Sequence, residues 1–227
     1  MKNLCIIPAR GGSKRIPRKN IKDFLGKPII AYSIEAAIKS DMYDEVMVST
    51  DDEEIASVAK QFGAEVPFFR SPETSNDFAV TADVIREVLA CYAELGKTFD
   101  TVTCLYSTAP FVSAERLKES FAMLNDDIHS VFTCVAFSFP IQRALHIVEG
   151  KIEMLHSEYM FTRTQDLEPT YHDAGQFYTF TIDFFTKAQS LWGKNTAGLV
   201  LSELEVQDLD TMTDWQLAEM KYELLHK

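Results

Sequence analysis

Six cations, Arg10, Lys14, Arg15, Arg18, Lys19 and Lys22, fall within 13 residues with no carboxylate among them. They belong to the string Ile7-Pro8-Ala9-Arg10-Gly11-Gly12-Ser13-Lys14-Arg15-Ile16-Pro17-Arg18-Lys19-Asn20. Gly11 and Gly12 carry no Cβ, so backbone amides there can approach phosphate oxygens, and Arg10, Lys14 and Lys19 can neutralise a polyphosphate. The chain as a whole is acidic, with 34 Asp and Glu against 22 Lys and Arg, a net charge of −12. One basic loop in an acidic protein suits a small polyanion and argues against nucleic acid, whose backbone needs a basic face. The string is neither a Walker A loop nor the Gly-x-Gly-x-x-Gly dinucleotide fingerprint.

A second constellation lies near the other end, in Val206-Gln207-Asp208-Leu209-Asp210-Thr211. Carboxylates at i and i+2 of an extended segment face one side and can share a hard cation such as Mg²⁺. Either aspartate could instead begin the last helix, since Asp is a strong N-cap. Asp77 has the same two readings: a cap for a helix starting near Ala79, or a ligand contact.

The elements that must position these residues read as alternating strands and helices. Leu4 to Pro8 is an apolar strand ahead of the basic loop, and Ile30, Ile34, Ala37 and Ile38 then recur at helical spacing. Glu45 to Ser49 reads as a strand, Asp51 or Asp52 as the cap of a helix to about Phe62, and Val66 to Phe68 as a third short strand. Val80, Val84, Ile85, Val88, Leu89 and Tyr92 line a helix, followed by a strand at Thr101 to Leu105, a helix bearing Leu117, Phe121 and Leu124, and a strand at Ser130 to Ala136. Ile141 to Met154 reads as a hairpin turning at Glu149-Gly150, and Leu155 to His172 is polar and irregular. A strand from Gln176 to Ile182, a helix from about Asp183, a strand at Gly198 to Ser202 and a helix bearing Trp215, Ala218, Tyr222 and Leu225 complete the chain.

This alternation predicts a single α/β domain over residues 1–227, a three-layer α/β/α Rossmann-like fold with a mainly parallel sheet and ligands beyond the carboxyl ends of its strands. An excursion at about 140–172 is expected to contact substrate or a second subunit. Cys5, Cys91, Cys104 and Cys134 lack the paired spacing of a zinc site or disulfide framework and read as buried thiols. The apolar run before Arg10 is too short for a signal sequence or membrane span, so a cytoplasmic protein with no membrane partner is expected.

Taken together, these strings resemble the CMP-sialic acid synthetase family of cytidylyltransferases, from Lys2 to about Leu225. The resemblance implies the nucleotide-diphospho-sugar transferase fold and transfer of CMP from CTP to the anomeric hydroxyl of a nine-carbon 2-keto sugar acid, with release of pyrophosphate. It assigns CTP to Arg10, Gly11, Gly12, Ser13, Lys14, Asn20, Arg70, Asp77 and Thr108, with Arg70 donating to the cytosine carbonyl and ring nitrogen. Arg10, Lys19 and Asp210 take the catalytic roles, Lys19 stabilising charge as pyrophosphate departs. Asp208 and Asp210 hold Mg²⁺. No general base stands out, leaving Asp210 or the metal as candidates.

Two segments depart from the sialate branch. Tyr106 stands where that branch carries Gln, and Tyr171-His172-Asp173-Ala174-Gly175-Gln176-Phe177-Tyr178 is similar to pseudaminic acid cytidylyltransferases, although Thr179 replaces the Trp that usually follows. Sugar contacts are therefore expected from Tyr106, His172, Asp173 and Gln176, with Gln142, Arg143 and Arg163 further candidates and either arginine able to pair the sugar's carboxylate. Pseudaminic acid is the expected sugar; N-acetylneuraminic and legionaminic acids are the alternatives. The family's habit implies a homodimer. A glycosyltransferase of related fold would lack the basic loop, and a nonenzymatic nucleotide binder would not need Lys19, Asp208 and Asp210 together.

Overall fold

A computed structural model describes residues 1–226. Its ten strands are β1 (Asn3–Pro8), β2 (Asp23–Phe24), β3 (Lys27–Pro28), β4 (Glu45–Ser49), β5 (Thr101–Leu105), β6 (Ser130–Ala136), β7 (Leu145–Val148), β8 (Lys151–Met154), β9 (Tyr171–Thr181) and β10 (Thr196–Leu201). The helices are α1 (Ile29–Ser40), α2 (Glu53–Gln61), α3 (Pro72–Ser75), α4 (Thr81–Glu94), α5 (Ala114–Met123), α6 (Ile182–Ala188) and α7 (Met212–Leu225). Six strands form one sheet in the order β10-β6-β9-β5-β1-β4. The pairs β1 with β4, β1 with β5 and β10 with β6 are parallel, as expected of strands such as β5 that are buried along their whole length. β9 runs antiparallel between β5 and β6 and begins at Tyr171, five residues earlier than the sequence pattern suggests.

The strand expected at Val66 to Phe68 does not form; a single bridge joins Met47 to Glu65. Pro67 has no amide proton to extend a ladder there. The hairpin turns where the sequence puts it, β7 and β8 meeting at Glu149 and Gly150 with φ of 50° and 77°, but its first arm begins at Leu145 because Ile141–Arg143 forms a 3-10 turn. Two successive left-handed residues give the turn whose twist matches that of the strands.

Helices cover both faces of the sheet. On one side Ile30 and Ile34 of α1, Ala56 and Ala59 of α2 and Leu117 of α5 pack on Cys5, Ile7, Val48, Leu105 and Phe177. On the other, Ile85, Val88 and Tyr92 of α4 and Phe184 and Phe185 of α6 pack on Leu4, Ile6, Val102, Cys104 and Phe180. A third cluster lies outside the sheet and matters more for function. Trp215 and Ala218 of α7 join Phe24, Ile29, Tyr32 and Phe111 around Ile16 of the basic loop and Leu209 of the acidic loop. Burial of those two residues seats both loops on one apolar support.

The caps settle several alternatives. Asp52, not Asp51, caps α2, accepting from the amides of Glu54 and Ile55. Thr211 caps α7 in a reciprocal box with Asp214, so neither Asp208 nor Asp210 has that task. Asp77 does not cap α4, which starts at Thr81. Cys5, Cys104 and Cys134 are buried and Cys91 half-buried, all four as free thiols. No helix among the described residues is long and apolar enough to cross a membrane.

Candidate active site

Two chambers open beyond the carboxyl ends of β1, β5 and β6. The first, about 460 Å³, is lined by Arg10, Ser13, Lys14, Arg15, Lys19 and Asn20 of the basic loop together with Arg70, Asp77, Tyr106 and Thr108. The second, about 770 Å³, is lined by Tyr106, Thr108, His172, Asp173, Tyr178 and Asp208, among others. Lys19, Tyr106 and Thr108 line both. A ligand in one chamber therefore meets a ligand in the other across these three side chains.

The basic loop is held rigidly and by a different device than its glycines suggested. Gly11 donates its amide to Asp51 Oδ1 at 2.8 Å, so that amide is already engaged. A Cβ on Gly11 would stand 2.7 Å from Asp52 Oδ2, which makes close approach to the β4–α2 turn the reason for glycine here. Neither Gly11 nor Gly12 lines a chamber, and Gly12 faces open space. Arg18 adopts a left-handed conformation, φ 55°, and clasps the same turn through Asp52 and Glu54. Hydrogen bonding to Arg18 holds the Asp52 carboxyl below its ordinary range. Asn20 is a strut as well as a wall: its Nδ2 donates to the Arg10 carbonyl at 2.8 Å and its Oδ1 accepts from the Ser107 hydroxyl at 2.9 Å.

Arg10 Nη1 pairs with Asp77 Oδ1 at 2.6 Å, and Lys14 pairs with the other carboxylate oxygen. Asp77 thus occupies the cations assigned to the triphosphate. Lys14 and then Arg10 lower its pKa. Arg70 is buried, its Nε and one terminal nitrogen donating to Ser49 Oγ at 3.0 Å and Ser49 O at 2.7 Å. Arg70 also lines the first chamber, as do Thr81 and Tyr106.

On the acidic side, Lys19 Nζ donates to the Leu209 carbonyl at 2.8 Å, between Asp208 and Asp210 in the chain. Burial lowers the Lys19 pKa, opposed by Asp210 and Asp208. Arg15 pairs with Asp210 at 2.5 Å. Asp208 lines the second chamber, while Asp210 lines neither and is held by Arg15; a hard cation bound by this pair would need its remaining oxygens from substrate or water.

In the second chamber the Asp173 carboxylate is pinned at both oxygens. It accepts from the Gly175 amide at 2.8 Å and from the Tyr178 hydroxyl. His172 stands beside it, its Nδ1 2.9 Å from the Asp173 carbonyl and its ring 4.8 Å from that of Phe137. Burial raises the Tyr106 pKa, so its hydroxyl stays protonated, 3.4 Å from Thr81 Oγ1.

Four expected sugar contacts are not brought to this chamber. Gln176 is buried, donates to the Glu205 carbonyl and lines neither chamber. The ladder between β6 and β9 shifts register between Phe132 and Cys134, and Gly175 has φ 62°, which resets the alternation of faces. Gln142 donates to the Glu168 carbonyl at 3.0 Å, and Arg163 pairs with Asp166 at 2.7 Å. Arg143 lies in the same excursion, off both chamber walls. Conversely, Thr81, Ser107, Tyr178 and Lys221 line the chambers and were missed. Tyr178 closes the Tyr171–Tyr178 string singled out in the sequence, and Thr81 follows Asp77 by four residues; those are the cues the sequence offered.

Residues 4–199 match the family model described as cytidylyltransferase. The chain is 42% identical over 229 residues to a pseudaminic acid cytidylyltransferase of Campylobacter jejuni, covering 100% of this chain and 99% of that one. It is 33% identical to a CMP-N,N'-diacetyllegionaminic acid synthase of Legionella pneumophila, over 99% and 97% of the two chains. Among solved structures, a CMP:2-keto-3-deoxy-manno-octonic acid synthetase complexed with CTP matches with a TM-score of 0.70 at 21% identity, over 100% and 99% of the chains. That likeness shows the fold.

Proposed function

Because the chain belongs to the cytidylyltransferase family, we propose that it transfers CMP from CTP to the anomeric hydroxyl of a nonulosonic acid, giving the CMP-sugar and pyrophosphate. The observation that carries this reading is the meeting of a cation-lined chamber and a hydroxyl- and carboxylate-lined chamber across Lys19, Tyr106 and Thr108. CTP fits the first, with its base toward Arg70 and Thr81 and its phosphates along Arg10, Ser13, Lys14 and Lys19. The sugar fits the second, its anomeric hydroxyl directed at the α-phosphate. Positioning and charge neutralisation then supply most of the rate.

Within that reaction Lys19 and Arg10 offset the charge that builds on the departing pyrophosphate. Asp77 must release Arg10 and Lys14 as the triphosphate arrives. Asp208 and Asp210 would hold Mg²⁺, which when bound would neutralise phosphate charge and lower the pKa of a nearby hydroxyl. The base remains unassigned between Asp210, which is paired with Arg15, and the metal itself.

Pseudaminic acid is the sugar favoured by the Campylobacter jejuni relative and by Tyr106, His172 and Asp173 on the chamber wall. CTP supply places the reaction in the cytoplasm. A homodimer through the excursion is supported by its unpartnered apolar surface: Leu145, Ile147 and Ile152 are 58%, 75% and 68% exposed.

Pyrophosphate release from CTP and Mg²⁺, with pseudaminic, N-acetylneuraminic and legionaminic acids and no sugar in parallel, tests the reading. Release with pseudaminic acid is expected. Preference for another sugar reassigns Tyr106 and the His172–Asp173 segment, and silence with all three refutes the transfer.

A further inference from the structure

A nonulosonic acid carries its carboxylate on the anomeric carbon, the same atom that bears the attacking hydroxyl. If the sugar binds as proposed above, the carboxylate must lie beside the acidic loop, not out along the excursion. That part of the second chamber is already rich in carboxylates: Asp173, Glu203 and Asp208 all line it. An anionic sugar entering there, next to a triphosphate, needs a local cation. Lys19 and Lys221 are the two lysine or arginine residues on this wall among the described residues. Lys19 also faces the triphosphate chamber and is directed at the Leu209 carbonyl.

Lys221 reaches from α7 to the Val206 carbonyl at 2.7 Å and the Glu203 carbonyl at 3.1 Å. These two carbonyls fix the ammonium at the head of the acidic loop. An ammonium has three donors, so one remains. No carboxylate of the described residues pairs with it, whereas Arg163 is paired with Asp166 and Arg143 is off the wall. We propose that Lys221 is the cation that receives the sugar's carboxylate, selecting for a 2-keto acid and orienting its anomeric carbon toward the α-phosphate.

The test uses the full chain with saturating CTP and Mg²⁺. Steady-state kinetics with pseudaminic acid are compared for wild type, Lys221→Met and Lys221→Arg, together with inhibition by the sugar's neutral C1 carboxamide. The Met variant is expected to raise the sugar KM about tenfold or more, the loss typical of one hydrogen bond between charged groups. The CTP KM should stay within about twofold, and the Arg variant, which keeps the charge, near wild type. The decisive readout is discrimination: wild type should bind the acid far better than the amide, and the Met variant should lose that preference. A Met variant that still prefers the acid overturns the proposal. So does an equal rise in both KM values, which would mark damage to the 203–206 segment, or loss of the preference in Arg163→Ala alone. If wild type turns over no nonulosonic acid, the transfer reading itself fails, an outcome separable from all of these.

Discussion

Lys19 Nζ and the backbone oxygen of Leu209, 190 residues apart in sequence, are joined by a 2.8 Å hydrogen bond. The bond ties the basic loop to the acidic one, and the buried side chains of Ile16 and Leu209 hold the same two loops on a common apolar cluster. The cations of the basic loop and the carboxylates of the acidic loop, which the proposed reaction would use for pyrophosphate and metal, are thereby fixed relative to each other. Such preorganisation is what electrostatic catalysis requires.

Lys19→Met should lower kcat about 100- to 1000-fold, the usual cost of one preorganised donor to developing charge, while changing the sugar KM little. Burial lowers the Lys19 pKa from its ordinary 10.5. The charged form is the one that stabilises pyrophosphate, so activity should decline on the alkaline side at a pH below that of an ordinary lysine. Lys19→Arg should move that decline upward. Single-turnover rates between pH 7 and about 10.5 measure both; an unchanged alkaline limb in the Arg variant counts against Lys19 as its source.

Arg70→Lys should raise the CTP KM about 10- to 100-fold. A lysine cannot hold Ser49 through two nitrogens and still present a donor to a base. The same change should narrow the preference for CTP over UTP, because cytosine offers acceptors at both its ring nitrogen and carbonyl where uracil has an N–H. Competition between the two nucleotides reads this out, and an unaltered CTP-to-UTP ratio would remove Arg70 from base recognition.

The clasp of Arg18 on Asp52 makes a pH-dependent contribution to stability. The folded pKa of Asp52 lies below its ordinary 3.8. Its stabilisation is therefore complete above the unfolded value and lost as pH falls through the folded one. Asp52→Asn keeps the N-cap and removes the charge, so it should cost no more than about 1 kcal/mol at pH 7, as expected of a pair this exposed. The difference should vanish in acid. Urea denaturation of both proteins at pH 7 and near pH 3 checks the sign: a gap that widens on acidification contradicts it.

The basic loop, the acidic pair and most strands were legible because each is contiguous and patterned. Three features were not. The direction of β9 leaves no trace in hydrophobic alternation, since parallel and antiparallel buried strands have the same composition. Burial of Gln176 against the Glu205 carbonyl is a long-range contact that strand patterning does not show, and the shift between Phe132 and Cys134 with the left-handed Gly175 lets Asp173 and Tyr178, at odd spacing, meet on one wall. Lys221 looked like any polar residue on a surface helix; only folding brings α7 against the acidic loop.

The excursion gives the last prediction. β7 and β8 form a two-stranded hairpin outside the main sheet, and such a ribbon is marginal alone in water. Ile147 and Ile152 pair directly across it and are both largely exposed, with Leu145 and Val148 beside them. Apolar cross-strand pairs stabilise a hairpin most when something covers them, and a second copy of the same hairpin supplies a complementary apolar face under two-fold symmetry. Ile147→Asp with Ile152→Asp should convert the proposed dimer to a monomer in sedimentation while leaving the three packed clusters of the main domain folded. Arg143 and Arg163 lie on the same excursion, so the monomer also tests whether they act across the dimer. If a partner carries either arginine to the second chamber, the sugar KM should rise on dissociation with the CTP KM unchanged. A monomer with wild-type KM for both substrates would confine all sugar recognition to the residues lining the chamber in one chain.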